Sequence, residues 1–262
     1  MRNPDGSFLV VCKAEKKIEV SFESFNGEVC RIESKNKDEI LFSEGIDGIF
    51  QEKYSFSSPS ARIFNSDLIM EKGLSVNSET FSFSSNSFGF FDKSGKITLN
   101  GEGTKVAYLE SEIHTEKVVV EDGNFFLYGD SYYEDDVISF FSKGPIYFWD
   151  YKESDVLSAK NIESLKYFLE DKKVLNVDGS DFLIYFYEDE FSMRVSDFSL
   201  ALDNYSLFSK KISIQRNDKS LKLHSIEGEI EIKNRENSIY TKDLILFDDL
   251  SWKAVNGVRV VF

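Results

Sequence analysis

The chain has little of what would make it anything other than a folded β protein. Among 262 residues there are three prolines, two tryptophans, two histidines and two cysteines. So few prolines, beside 25 Phe and 15 % aromatic residues, exclude a Pro-rich linker or a disordered segment. No apolar run approaches the roughly 20 residues of a membrane-spanning helix. The stretch from Phe8 to Cys12 is too short even for the core of a secretory signal, so an export signal would have to lie outside this sequence. Cys12 follows Leu9-Val10-Val11, but the residue before a lipidated cysteine is small, and Val11 is not. Basic charge is also short: 31 Lys and Arg against 46 Asp and Glu leave a formal net charge of −15. That field disfavours nucleic acid and anionic membrane surfaces, and no basic run offsets it.

Signatures of catalysis are missing too. There is no nucleophile elbow, phosphate loop or dinucleotide glycine motif. His114 and His224 sit in polar, strand-like surroundings without metal-ligand spacing and read as surface residues. Glu134-Asp135-Asp136 and Glu188-Asp189-Glu190 offer carboxylates for Ca²⁺ or for acid–base work. In a chain with 46 acids they read as solvated turns. Trp149 and Trp252 read as packing residues rather than sugar platforms. Cys12 and Cys30 form one disulfide or remain two thiols. The expectation is a protein that is not an enzyme and uses no cofactor or metal.

What the sequence does have is alternation. Ile18, Val20 and Phe22 share one face, as do Leu221 and Leu223, Ile230 and Ile232, and Val258, Val260 and Phe262. Turn signals are frequent: Asn26-Gly27, Asp47-Gly48, Asp122-Gly123, Asp178-Gly179 and Asn256-Gly257. Many short strands at that spacing predict an all-β fold, sandwich, barrel or solenoid. Only Ser154 to Lys172 has helical periodicity, through Leu157, Ile162, Leu165, Phe168 and Leu169. It predicts one helix or loop joint at 154–172, between an N-terminal β half (1–153) and a C-terminal β half (173–262).

A short phrase recurs six times: an apolar or aromatic residue, then Ser or Thr, then Asn or Asp nine positions after the start. The copies begin at Phe56, Phe83, Phe141, Val195, Phe208 and Tyr240. Several spacings fall near one or two units of a repeat of roughly 27–29 residues, which points to stacked supersecondary units. Phe83 and Tyr240 start the best-matched pair, leading on to Asn100-Gly101 and Asn256-Gly257. Counting five and seven positions from each start predicts one shared interior of Ile63, Phe88, Phe90, Ile146, Phe148, Leu200, Leu202, Ile245 and Phe247. The copy at Phe208 breaks step, because there Ile212 and Ile214 are the apolar pair, which implies a bulge or an accidental match.

Aromatic, polar pair, Leu/Ile alternation, acidic turn and Asn-Gly together resemble the OstA-like (organic solvent tolerance) family. That family includes the periplasmic lipopolysaccharide-transport bridge proteins. The resemblance rests on Ile239 to Asp249 with Ala254 to Val260, and on Phe83 to Gly101. It implies an antiparallel β-jellyroll, stacked into an open, V-shaped groove that carries acyl chains of lipopolysaccharide or a similar envelope lipid outside the cytoplasm. The nine interior residues then become lipid-binding candidates. Val258, Val260 and Phe262 become an assembly edge, which would pair with another OstA-like protein or a second copy. Two other readings stand beside it: a structural β-solenoid with a filled core, and a carbohydrate-active β-solenoid using surface carboxylates.

Overall fold

The computed structural model describes residues 7–12, 17–34, 39–79, 81–108, 111–151, 154–169, 173–186, 191–217 and 219–261. These residues form an all-β, antiparallel, jellyroll-like arrangement of twenty-seven mostly short strands, with no helix among them. The chain divides into two compact units, Met1–Tyr128 and Gly129–Phe262.

The first unit holds β1 (Phe8–Val11), β2 (Ile18–Ser21), β3 (Phe25–Ser34), β4 (Glu39–Phe50), β5 (Tyr54–Phe64) and β6 (Asp67–Met70). It continues with β7 (Leu74–Asn77), β8 (Phe81–Ser85), β9 (Phe88–Phe91), β10 (Ile97–Tyr108), β11 (Ser111–Glu121) and β12 (Asn124–Tyr128). Its long strands change partners halfway. β3 pairs with β2 through 26–29 and with β1 through 31–34. β5 pairs with β7 through 55–57 and with β6 through 61–64. β10 pairs with β9 through 97–100 and with β8 through 105–108. Each long strand therefore gives one half to each of two layers. The bends fall at register breaks between Val29 and Arg31, Ser43 and Ile46, and Asn100 and Thr104, as bulged strands require. The layers face each other: the rings of Phe50 and Phe91 lie 4.8 Å apart, those of Phe56 and Phe91 5.4 Å.

The second unit repeats the scheme. It holds β13 (Ser131–Glu134), β14 (Ile138–Ser142), β15 (Ile146–Tyr151), β16 (Ser154–Lys160), β17 (Ile162–Phe168), β18 (Val174–Asp178), β19 (Asp181–Phe186) and β20 (Phe191–Leu202). Then come β21 (Tyr205–Asn217), β22 (Ser220–Glu227), β23 (Ile230–Lys233), β24 (Ser238–Thr241), β25 (Asp243–Phe247), β26 (Trp252–Asn256) and β27 (Arg259–Val261). One layer runs β13, β14, β17, β18 and resumes as β23, β24, β27. The other runs β15, β16, β19 and resumes as β22, β25, β26. Long β20 and β21 belong to both. Tyr167 and Phe191 meet across the layers at 5.6 Å.

The recurring phrase marks the bends. Where the chain passes from layer to layer, a buried hydroxyl donates to a backbone carbonyl at a neighbouring bend. Ser58 donates to Gly73 O (2.8 Å), Ser85 to Asn100 O (3.0 Å), Ser142 to Lys160 O (2.8 Å) and Thr241 to Asn256 O (2.8 Å). Those carbonyls belong to, or directly precede, residues with positive φ: Gly73, Gly101, Asn161 and Gly257.

Two sequence expectations are corrected by this geometry. The 154–172 segment is not a helix: β16 and β17 occupy its described part. Asn161, at φ 55°, turns the chain between layers and shifts the strand periodicity, so Leu157, Leu165 and Leu169 only mimic helical spacing. The unit division falls before it, at Tyr128. Asn26-Gly27 and Asp47-Gly48 are not turns but neighbours inside β3 and β4. A Cβ on Gly27 would lie 2.7 Å from Asp47 O, and one on Gly48 2.6 Å from Asn26 O, so glycine there permits close backbone approach. The copy at Phe208, which the sequence left as a bulge or an accidental match, is genuine: Ser209 is buried at its bend, and the bulge beside it lies on the facing strand, with Ile226 of β22 as the extra residue opposite Lys211 and Ile212. It is the copy at Val195 that differs, since it crosses the layers in the opposite sense and Ser196 is not buried.

Candidate functional site

Four hairpin turns of the first unit converge where its two layers meet at their rims. One is the 22–25 turn, closed by Phe22 N–H donating to Phe25 O at 2.8 Å. The second joins β4 to β5 through Gln51 and Glu52, both at positive φ. The third joins β5 to β6 through Asn65 and Ser66, also at positive φ, the geometry of a tight primed turn. The fourth is 92–95, where the Ser94 hydroxyl and amide hold the Asp92 carboxyl below its usual range. Lys93 N–H donates to Asp67 Oδ1 at 3.2 Å and ties that turn to the start of β6. Gln51 N–H donates to Ser24 O at 2.9 Å. The Gln51 side chain lies so close to Gly95 that a Cβ there would sit 2.4 Å from its Oε1.

These turns surround a cavity of about 430 Å³. Its floor is apolar: Phe22, Phe25, Ile40 and Ile63. Its rim is polar: Glu23, Ser24, Gln51, Asn65, Ser66 and Lys93. Ile40 and Ile63 face each other in the β4–β5 ladder. Phe22 stacks on Phe25 at 4.8 Å, and Phe25 contacts Phe42 and Phe56 edge-on at 6.4 and 5.8 Å. Beyond the floor the space between the layers is filled by rings, from Phe56 through Phe91 to Phe50. An apolar floor with a few convergent polar groups is the usual make-up of a small-molecule site. A shallower groove of about 700 Å³ over β2, β3 and β4 is rimmed by Glu19, Glu28 and Asp47. Asp47 is paired with Lys17 at 2.5 Å, which holds its carboxyl below the usual range.

Of the nine interior candidates, Ile63, Ile146, Phe148, Leu200 and Leu202 are buried. The other four are on the opposite strand face. In β9 the inward residues are Gly89 and Phe91, leaving Phe88 and Phe90 half-exposed; in β25 they are Leu244 and Leu246, leaving Ile245 half-exposed and Phe247 exposed. Ile63, Phe88 and Phe90 belong to the first unit and the other six to the second. Only Ile63 lines the cavity. Phe25 and Ile40 were missed; Phe22 was legible from the Ile18, Val20, Phe22 alternation. Val258 and Val260 are exposed, and Phe262 lies outside the described residues.

Other chemistry-bearing residues have structural roles. Asp135 accepts from the amides of Val137 and Ile138 (2.7 and 2.6 Å) and from the Tyr133 hydroxyl (2.7 Å), an ordinary Asx turn. The 188–190 run lies outside the described residues. His114 and His224 are exposed, and Trp252 packs edge-on against Tyr205 at 5.4 Å. Among the described residues no three His, Cys, Asp or Glu side chains form a metal-holding group.

No family model matches the chain, and no curated protein matches it.

Proposed function

We propose that this protein is a non-enzymatic, OstA-like lipid-binding protein of the cell envelope, acting outside the cytoplasm. Its ligand is the acyl portion of an envelope lipid of lipopolysaccharide type. The supporting observation is the cavity of about 430 Å³ between the two layers of the first unit, apolar below and polar at its mouth. The action is physical rather than chemical. An acyl chain entering over Phe22, Phe25, Ile40 and Ile63 gains about 0.8 kcal/mol for each methylene removed from water. Burial of this kind is non-directional, so the chains are held by length and bulk rather than by pattern. Partners are other OstA-like proteins or a second copy, joined by edge-strand pairing at β27.

Titration with cis-parinaric acid, a fluorescent fatty acid, tests the reading, alongside native mass spectrometry for lipid that co-purifies. Saturable binding, weakened about tenfold or more when Ile40→Trp fills the floor, is the expected result. Lack of saturable binding by the unaltered protein would remove the reading. A second reading, a scaffold with a filled core, is favoured by the ring chain from Phe25 to Phe50, and it predicts that outcome.

A further inference from the structure

The two cysteines meet across a ladder. In the β1–β3 pairing Val11 faces Arg31. The next step sets Cys12 against Cys30, and Cys12 N–H donates to Cys30 O at 2.7 Å. Both thiols are free and half-buried. Opposed residues of an antiparallel pair have Cα atoms about 4.5–5.5 Å apart, inside the span of roughly 4.4–6.8 Å that a disulfide bridges. Cys30 is also the bend of β3, the residue between its ladder with β2 and its ladder with β1. At other bends hydroxyls are the side chains in contact, Ser85 with Thr104 at 3.3 Å and Ser209 with Ser225 at 3.4 Å. Hydroxyls can only share a proton, whereas thiols can close a bond.

We propose that Cys12 and Cys30 form a redox-responsive cross-strand dithiol whose oxidation fastens β1 to β3. The hydrogen bond between the two thiols is the first cause that pushes the Cys12 thiol up from its usual range, in keeping with their contact. The oxidant is a small-molecule disulfide such as oxidised glutathione. One cysteine loses its proton and attacks a glutathione sulfur, forming a mixed disulfide and releasing one glutathione thiol. The second loses its proton and attacks the mixed disulfide, releasing the other. Two thiols and one small disulfide thus become one Cys12–Cys30 bond and two glutathione thiols. The hydrogen bond from Cys12 N–H to Cys30 O marks a hydrogen-bonded pair, the wider of the two ladder sites. That separation suits a disulfide without distortion, and because both sulfurs are only half-buried the bond stays open to attack by a thiol. The bond is therefore a reversible latch.

The latch has something to hold. β1 is four residues long and pairs only with β3 among the described residues, and Leu9, Val10 and Val11 are all exposed. A strand that buries so little apolar surface opens easily. Once open it leaves residues 31–34 of β3 as an unpaired edge able to accept another strand. Oxidation keeps that edge closed, whether or not the cavity takes a lipid.

The test equilibrates the purified protein with oxidised glutathione and reads intact mass, linked peptides and hydrogen exchange. The expected result is loss of two hydrogens, a Cys12–Cys30 peptide and full reversal by excess reduced glutathione. The β1 amides should also exchange about tenfold or more slowly in the oxidised form, with β20 and β21 unchanged. Cys12→Ser and Cys30→Ser should each show neither the bond nor the slowing. Thiols that stay free or carry only separate glutathione adducts would overturn the proposal. So would a bond that resists reduced glutathione, or one that leaves β1 exchange unaltered.

Discussion

At single residues, the polar side chains that matter most lie where the backbone changes layers. Ser142 is fully buried, donates to Lys160 O and accepts from Gly144 N–H. Its hydroxyl serves backbone groups at the bend, and an unsatisfied buried carbonyl costs about 1–3 kcal/mol. Thr241 does the same before β25, and the next residues carry a titrating cluster. Asp243 accepts from Asn256 Nδ2 and meets His224 Nδ1 at 2.6 Å. The Asn256 amide first, then His224, holds its carboxyl below the usual carboxylate range. A depressed folded-state value makes the carboxylate stabilising above the unfolded value, and that gain is lost as pH falls through the folded one. Asp243→Asn should therefore be less stable than the unaltered protein at pH 7, with the gap closing below about pH 4. Urea midpoints measured from neutral to acid pH check this; a gap of constant size would show that charge is not its source.

Elements show how a one-residue offset decides which residues face inward. Counted from the buried hydroxyl instead of the aromatic, the inward pair falls three and five positions later in three copies. These are Ala61 and Ile63 after Ser58, Ile212 and Ile214 after Ser209, and Leu244 and Leu246 after Thr241. Longer bends at Ser85 and Ser142 move the pair to Gly89 and Phe91, and to Ile146 and Phe148. Leu246→Ala should then cost about 2–5 kcal/mol, while Ile245→Ala costs under about 1.5. Similar losses in thermal or urea unfolding would restore the face predicted from the aromatic. The all-β class, the repeat and the tip turns at Asn65, Asp92 and Asp249 were readable because alternation and turn chemistry are local. The inward face of β9 and β25 was not: in β9 an extra bend residue flips every side chain after it, and before β25 the buried hydroxyl Thr241 directly follows the aromatic, one residue earlier than Ser58 follows Phe56. The cavity was least legible. Its walls come from residues as distant as Phe22 and Lys93, brought together only when β4 and β5 fold over at their bends.

For the whole molecule, apolar edges and negative charge act in opposite directions. β27 pairs with β24 on one side and carries no ladder on the other among the described residues. Val258, Val260 and Val261 are 51, 46 and 44 % exposed, a bare surface for a strand to leave. Its one charge does not guard the edge, because Arg259 is drawn back to Glu229 at 3.2 Å and over the Tyr240 ring at 4.3 Å. β1, with Leu9 and Val11 each 49 % exposed, offers a complementary apolar edge. Head-to-tail pairing of β27 with β1 of another copy would cover both, as unpaired edges tend to do. A net charge of −15 on each copy resists that approach at low ionic strength. Salt removes the resistance, since the screening length falls from about 30 Å at 0.01 M to about 3 Å at 1 M. Sedimentation should therefore show monomer at low salt and larger species as salt rises. Val260→Lys, which sets a charge on the edge, should stay monomeric throughout. Association that weakens with salt would point to ionic contacts instead, and a monomer under every condition would leave β27 without an assembly role.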